Sequence, residues 1–254
     1  MLEWGVDSIF TLYLWGLVGG VTVIVSSLIL ILYPISFFDP QRRLAHSLGT
    51  FWANCLIRLN PYWRLRVVGK NRIRKNQSYV LVSNHLSLAD IVSLFSMGHP
   101  FKWVAKKSLF RVPFLGWAMS VMRYIPLERG RHWSIRKSYQ EALEWLRRDE
   151  SILIFPEGTR SRTGEMGNFK RGAFRLALES GRPLVPVVLA GTQNVISKGN
   201  LSFGKLGLAY MSILPPIETK DSSLDEGELR KKVERLMRGE LKKRNRMLGR
   251  LQRF

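Results

Sequence analysis

From Ser8 to Phe38 the chain runs 31 residues without an Asp, Glu, Lys or Arg. An uncharged stretch of that length must be taken out of water, either in lipid or in a core. As a helix, Ile9 to Tyr33 would reach roughly 37 Å at about 1.5 Å per residue, enough to cross a hydrocarbon layer of about 30 Å with some tilt. A signal peptide has a shorter apolar region placed behind basic residues, whereas here Glu3 and Asp7 come first. Core helices seldom run this far uncharged, which leaves a soluble interior as the weaker alternative. Gly19-Gly20 and Pro34 would also allow a bend into one leaflet, and the sequence leaves crossing and shallow insertion both open.

The residues that follow set an orientation. Residues 41–76 carry nine Lys or Arg and no acid, so the positive-inside rule puts the amino terminus outside and the bulk of the chain at a cytoplasmic or inner membrane, on its cytoplasmic side. Leu44, Leu48, Phe51, Trp52, Cys55, Leu56 and Leu59 recur at helical spacing beside Arg42, Arg43 and Arg58, which predicts a second, interfacial helix over 41–59 that Asn60-Pro61 ends. Residues 1–60 therefore read as a membrane anchor.

Charge narrows the partners. Forty Lys and Arg against nineteen Asp and Glu give +21, which favours an anionic surface: nucleic acid, acidic lipid headgroups or a phosphorylated substrate. The single cysteine, Cys55, rules out an internal disulfide and a Cys-based zinc site, and no cluster suggests a metal.

Beyond the anchor, β-type apolar runs alternate with helical patterns, the mark of an α/β domain with a central sheet flanked by helices over 61–220. Strands are expected at Ser78–Ser83, Lys102–Ala105, Ile152–Phe155, Leu184–Leu189 and Leu206–Leu214. Helices are expected at Ala89–Met97, Pro113–Met122, Trp133–Arg148 and Phe169–Glu179, the last stopped by Gly181. A basic helical tail occupies 221–254, with Leu229, Val233, Leu236, Met237, Leu241 and Met247 partly in helical register.

Two junctions hold the reactive residue types. In the first, an apolar strand delivers His85 to its carboxyl end and Asp90 follows five residues on. A carboxylate bonded to one imidazole nitrogen fixes the tautomer and supports the cation formed when the other nitrogen takes a proton, which makes a general base. The alternative is that Asp90 caps the next helix and His85 fills a turn. In the second, Phe155-Pro156-Glu157-Gly158-Thr159-Arg160-Ser161 follows a strand, and the amides and hydroxyls of Gly158, Thr159 and Ser161 beside Arg160 would suit a phosphate or a developing oxyanion. An ordinary hydrophilic turn is the alternative. The spacing of a P-loop is absent.

Taken together the blocks resemble the glycerolipid acyltransferases, in particular bacterial 1-acylglycerol-3-phosphate acyltransferases, over about residues 61–215. The family's Asn-His-x4-Asp block matches Asn84 to Asp90, and its second block matches Tyr124 to Arg129 with Glu128 where Asp is frequent. Phe-Pro-Glu-Gly-Thr-Arg-Ser matches residues 155–161 and Val-Pro-Val matches Val185–Val187.

The resemblance implies a glycerol-3-phosphate acyltransferase-like mixed sheet. It also implies transfer of a fatty acyl group from acyl-CoA or acyl carrier protein to the sn-2 hydroxyl of lysophosphatidic acid, giving phosphatidic acid for phospholipid biosynthesis. His85 would be the base and Asp90 its support; Arg129, Glu157, Gly158, Thr159 and Arg160, with Lys106, would bind the glycerol phosphate. No cofactor is expected beyond the thioester co-substrate. The expected partners are membrane phospholipids, lysophosphatidic acid and the acyl carrier or CoA thioester. Such a lipid substrate accounts for the basic charge without nucleic acid. Another lyso-lipid acceptor, or a membrane-anchored nucleic-acid-binding protein suggested by the basic tail, are the competing readings.

Overall fold

The computed structural model describes residues 2–161, 163–196, 202–203 and 207–251. The uncharged run forms helix α1 (Leu2–Ile31), and Ile9–Ile31 within it is long and apolar enough to cross a bilayer, with a mean hydropathy of 2.3. Leu14, Val25 and Ile29 are buried, whereas Ile9, Leu12, Ile24 and Ile31 face outward. Phe10 meets Tyr62 edge-on at 5.0 Å, Trp15 meets Phe203 at 5.3 Å, and Trp52 Nε1–H donates to Thr22 Oγ1 at 2.9 Å. Contacts spread from Phe10 to Ile29 mean that α1 lies along the domain.

Helix α2 (Arg43–Leu59) forms where expected. Its buried residues are His46, Gly49, Ala53 and Leu56, while Leu44, Phe51 and Leu59 are exposed. The cause is close packing: a Cβ on Gly49 would stand 2.8 Å from the Phe95 ring, and the His46 ring stacks on the same Phe95 at 5.2 Å. The small residue lets the helix approach, and the imidazole fills the space beside it.

A seven-stranded sheet runs in the order β1 (Trp63–Val68), β7 (Gly207–Ile213), β6 (Leu184–Ala190), β2 (Val80–Ser83), β5 (Ser151–Ile154), β3 (Phe101–Lys106) and β4 (Ile125–Leu127). All neighbours are parallel except β6 with β7. This is the mixed, helix-flanked sheet expected of the sequence. Alternation along the strands splits the core: Leu81, Leu153, Val185 and Met211 point to the side covered by α1, α2, α3 (Ala89–Phe95) and α4 (Leu115–Val121). Val80, Val82, Ile152 and Tyr210 point to the side covered by α5 (His132–Arg147), α6 (Gly172–Ser180) and α7 (Glu226–Leu251). Both faces are buried, which is why these strands read as continuous apolar runs.

Edge strand β1 was not anticipated, because Arg64 and Arg66 drew attention to charge and away from the alternation of Trp63, Leu65 and Val67. Helix α6 starts at Gly172, three residues later than expected, since Lys170 N–H donates to Pro156 O at 2.9 Å and keeps the preceding chain extended. The expected strand start at Leu206 and the tail end at 252–254 lie outside the described residues.

Candidate active site

The parallel strands β2 and β5 sit side by side and end together, so the loops after Ser83 and Ile154 meet at the carboxyl edge of the sheet. Asn84 anchors the first loop: its Nδ2 donates to Leu189 O and its Oδ1 accepts Leu189 N–H, both at 2.8 Å, fastening the loop to β6. Next along the chain, His85 Nδ1 lies 2.8 Å from Asp90 Oδ2. That carboxylate oxygen also accepts the N–H groups of Leu86 and Ser87, the latter at 2.8 Å. Asp90 is fully buried at the start of α3, and the turn 86–88 folds it back on the ring. Asp90 does not cap α3, which has no side-chain cap; its carboxylate holds the preceding turn and the imidazole at once.

Phe155 stacks on the His85 ring at 4.1 Å, with planes 17° apart. With one ring face covered and Nδ1 committed to Asp90, the position left for proton transfer is Nε2. The His85 side chain is 10% exposed, so the imidazole meets solvent through a narrow opening.

The second loop joins the first through Glu157. Its Oε1 accepts the backbone N–H of His85 at 2.9 Å and its Oε2 accepts that of Gly167 at 2.7 Å. Burial pushes the Glu157 carboxyl above its usual range, and the two N–H donors pull it back. The carboxylate expected among the phosphate ligands is thus turned toward two peptide N–H groups, where it braces the loops. Two of the amides expected to face an anion are also used internally: Gly158 N–H donates to Phe155 O at 3.0 Å and Ser161 N–H to His85 O at 2.8 Å. Gly158, at φ 71°, takes the left-handed conformation that favours glycine. Thr159 is exposed and Arg160 half-buried beside it.

Arg129 and Gly158 come together with Lys170, which the sequence reading passed over, around a cavity of about 190 Å³ between the β4–α5 and β5–α6 segments. Lys170 Nζ lies 3.0 Å from where a Cβ on Gly158 would stand, so the glycine makes room for it. Phe155 lines this cavity as well as stacking on His85, so its ring links the two. Partial burial lowers the Arg129 pKa. Lys106 is exposed at the end of β3 opposite Leu127, while Lys107 is held by Glu128 at 3.0 Å, a contact that depresses the Glu128 carboxyl. On the other face of the sheet, an apolar cavity of about 200 Å³ runs under the helix bearing Asp90, between Leu14, Val18, Trp52, Leu88, Ile91 and Trp103.

The acyltransferase family model matches residues 64–190, a span that holds the His85, Arg129 and Glu157 segments. The chain is 34% identical over 201 residues to the chloroplastic 1-acyl-sn-glycerol-3-phosphate acyltransferase LPAT1 of Arabidopsis thaliana, covering 78% of this chain and 56% of the relative. It is 32% identical over 166 residues to the 1-acyl-sn-glycerol-3-phosphate acyltransferase of Borreliella burgdorferi, covering 65% and 66%. The chain thus spans between just over half and about two thirds of the length of these curated relatives. Among solved structures, the 1-acyl-sn-glycerophosphate acyltransferase PlsC of Thermotoga maritima superposes with a TM-score of 0.80 at 26% identity, over 94% of this chain and 96% of that one. By matched sequence and by fold, the chain belongs to the acyltransferase family.

Proposed function

We propose that the protein acylates the sn-2 hydroxyl of 1-acyl-sn-glycerol 3-phosphate, taking the acyl group from acyl-CoA or acyl carrier protein and releasing phosphatidic acid. The observation that carries this reading is the His85 Nδ1–Asp90 Oδ2 contact of 2.8 Å beside a cationic cavity rim. The names of the relatives supply the acceptor.

In this mechanism His85 Nε2 removes the proton as the hydroxyl oxygen attacks the thioester carbonyl carbon. The C–O bond forms, the tetrahedral intermediate collapses with cleavage of C–S, and the imidazolium returns its proton to the thiolate. Asp90 supports the cation between those steps. Since the alcohol is itself the nucleophile, no acyl-enzyme is required and Ser83 and Ser87 have no covalent role. Ser87 Oγ is in fact used as a donor to Ile196 O at 2.7 Å.

Arg129 and Lys170 hold the acceptor phosphate, with Arg160 and Lys106 adding charge at the same edge. An Arg fork suits phosphate oxygens, and each charge-assisted bond contributes about 1.5–3 kcal/mol. The apolar cavity against α1 and α2 takes a fatty chain. With the outer apolar side of α1 in lipid, the protein works at the cytoplasmic membrane face, where acceptor and product reside.

The test is acyl transfer from one labelled thioester to a panel of lyso-lipids. Acylation of lysophosphatidate at a kcat/KM well above the neutral and zwitterionic lyso-lipids is expected; a preference for another headgroup overturns the acceptor assignment.

A further inference from the structure

The base-bearing loop is held by a chain of contacts that starts on the carboxyl-terminal helix. Arg238 of α7 donates Nη1–H to Met166 O at 2.8 Å and Nη2–H to Gly167 O at 3.1 Å, and Glu234 Oε1 steadies the guanidinium at 3.0 Å. Met166 C=O and Gly167 N–H belong to one peptide group. In a planar trans peptide they point in opposite directions, so a group that fixes the carbonyl aims the N–H. That N–H is the one that meets Glu157 Oε2 at 2.7 Å, and Glu157 Oε1 in turn receives the His85 N–H at 2.9 Å.

We infer that Arg238 is a positioning residue for acyl transfer, acting through the 166–167 peptide and Glu157 on the backbone of His85. This rests on the acyltransferase reading of the His85 site. A cation on the carbonyl also polarises the peptide and strengthens its N–H as a donor to the carboxylate. A neighbouring contact supports the arrangement: Arg230 Nη1–H donates to Phe169 O at 3.2 Å, so two arginines on one side of α7 hold the segment that turns back to Glu157. Met166 and Phe169 are buried, which fastens the segment on its other side. Both Arg238 and Arg235 are exposed on the same helix, and Arg238 is the one whose guanidinium reaches the 166–167 peptide oxygens.

The experiment compares Arg238→Met, which keeps the aliphatic stem, with Arg238→Lys and with Arg235→Met as control. Two readouts are used on the full-length chain in detergent. Without substrate, amide hydrogen exchange in peptides covering residues 84–87 and 157–167 should accelerate at least about tenfold in Arg238→Met, partly recover in Arg238→Lys, and be unchanged in Arg235→Met. In turnover, Arg238→Met should lower kcat about tenfold with KM for lysophosphatidate within about twofold, since small displacements of a base act on the chemical step.

Unchanged exchange at 84–87 in Arg238→Met overturns the inference, as does a kcat loss matched by Arg235→Met. Should Arg238→Met fail to fold, Arg238→Lys carries both readouts, and wild-type exchange and kcat in that variant overturn it. If the wild type leaves lysophosphatidate unacylated, the acceptor assignment fails, while the exchange readout still decides the link from Arg238 to His85.

Discussion

Asp90 Oδ2 serves three donors at once: the His85 ring at 2.8 Å and the backbone N–H groups of Leu86 and Ser87. One oxygen therefore sets both the shape of the turn and the tautomer of the base. Its Oδ1 is buried without a hydrogen-bond partner, so the whole hydrogen-bonding load of the carboxylate falls on Oδ2. The arrangement ties the imidazole to the backbone of the same turn.

Removing the base separates chemistry from folding. His85→Ala should lower acyl transfer by at least about 10³-fold, the range for a lost general base, while leaving the thermal transition near wild type. Asp90→Asn tests the charge. The asparagine oxygen can take the place of Oδ2 and keep all three donors, but its NH2 then replaces the unpartnered buried Oδ1, and the negative charge that would support an imidazolium is gone. A comparable loss of kcat is expected, with less effect on KM, measured under saturating donor and acceptor.

The cationic rim should act on binding. Arg129→Ala and Lys170→Met should each raise KM for lysophosphatidate about 10- to 100-fold, the equivalent of one charge-assisted contact, with kcat much less affected. Turnover of an uncharged monoacylglycerol should be insensitive to both changes. Measuring the two acceptors in parallel distinguishes phosphate recognition from a general loss of the cavity.

Glu157 makes the opposite prediction, because its oxygens are occupied by N–H groups of two loops. Glu157→Gln replaces one acceptor by an NH2 that faces a donor, leaving a buried N–H unsatisfied at a cost of about 1–3 kcal/mol. It should reduce stability in denaturant and lower kcat, with KM for the acceptor little changed. Equal selectivity for phosphate-bearing acceptors in wild type and variant is the expected control.

How much of this was legible beforehand depended on the kind of signal. The strands β2, β5 and β6 were readable because two buried faces force unbroken apolar runs, and the His85–Asp90 contact was readable because a strand end and a helix start five residues apart leave few ways to fold the turn. Lys170 and Arg238 were not. Each reaches the site through tertiary packing: Lys170 lies beside Gly158 across a turn, and Arg238 comes from a helix that a sequence reading sees only as basic. Nor does the spacing of Pro-Glu-Gly-Thr say whether the acid faces a ligand or the backbone. That is decided by Gly167, which comes back from further along the same β5–α6 connection. The apolar spacing of α2 likewise does not say which of its residues face the protein, where a histidine and a glycine pack.

The most distinct pH effect should lie in stability, at the opposite end of the sheet from His85. His46 donates or accepts at Tyr124 Oη at 3.0 Å and His99 Nε2 lies 2.8 Å from Ser151 Oγ, both deeply buried. Burial, with the nearby Lys102 charge, lowers the His46 pKa to about 3; burial, with Arg43, lowers that of His99 to about 4. In the unfolded chain each imidazole takes its proton near pH 6.5. As the pH falls below that value the unfolded state binds protons that the folded state does not, so folding weakens. The loss begins near pH 6.5, grows by about 1.4 kcal/mol per pH unit for each histidine, and ends only once the folded-state values near 4 and 3 are passed. Above pH 7 neither histidine contributes a slope. Denaturant unfolding in detergent between pH 7.5 and pH 4.5 should show this decline in the wild type. His99→Gln, which can keep a hydrogen bond to Ser151 without titrating, should reduce the slope by about half, and an unchanged slope in that variant would remove His99 from the account.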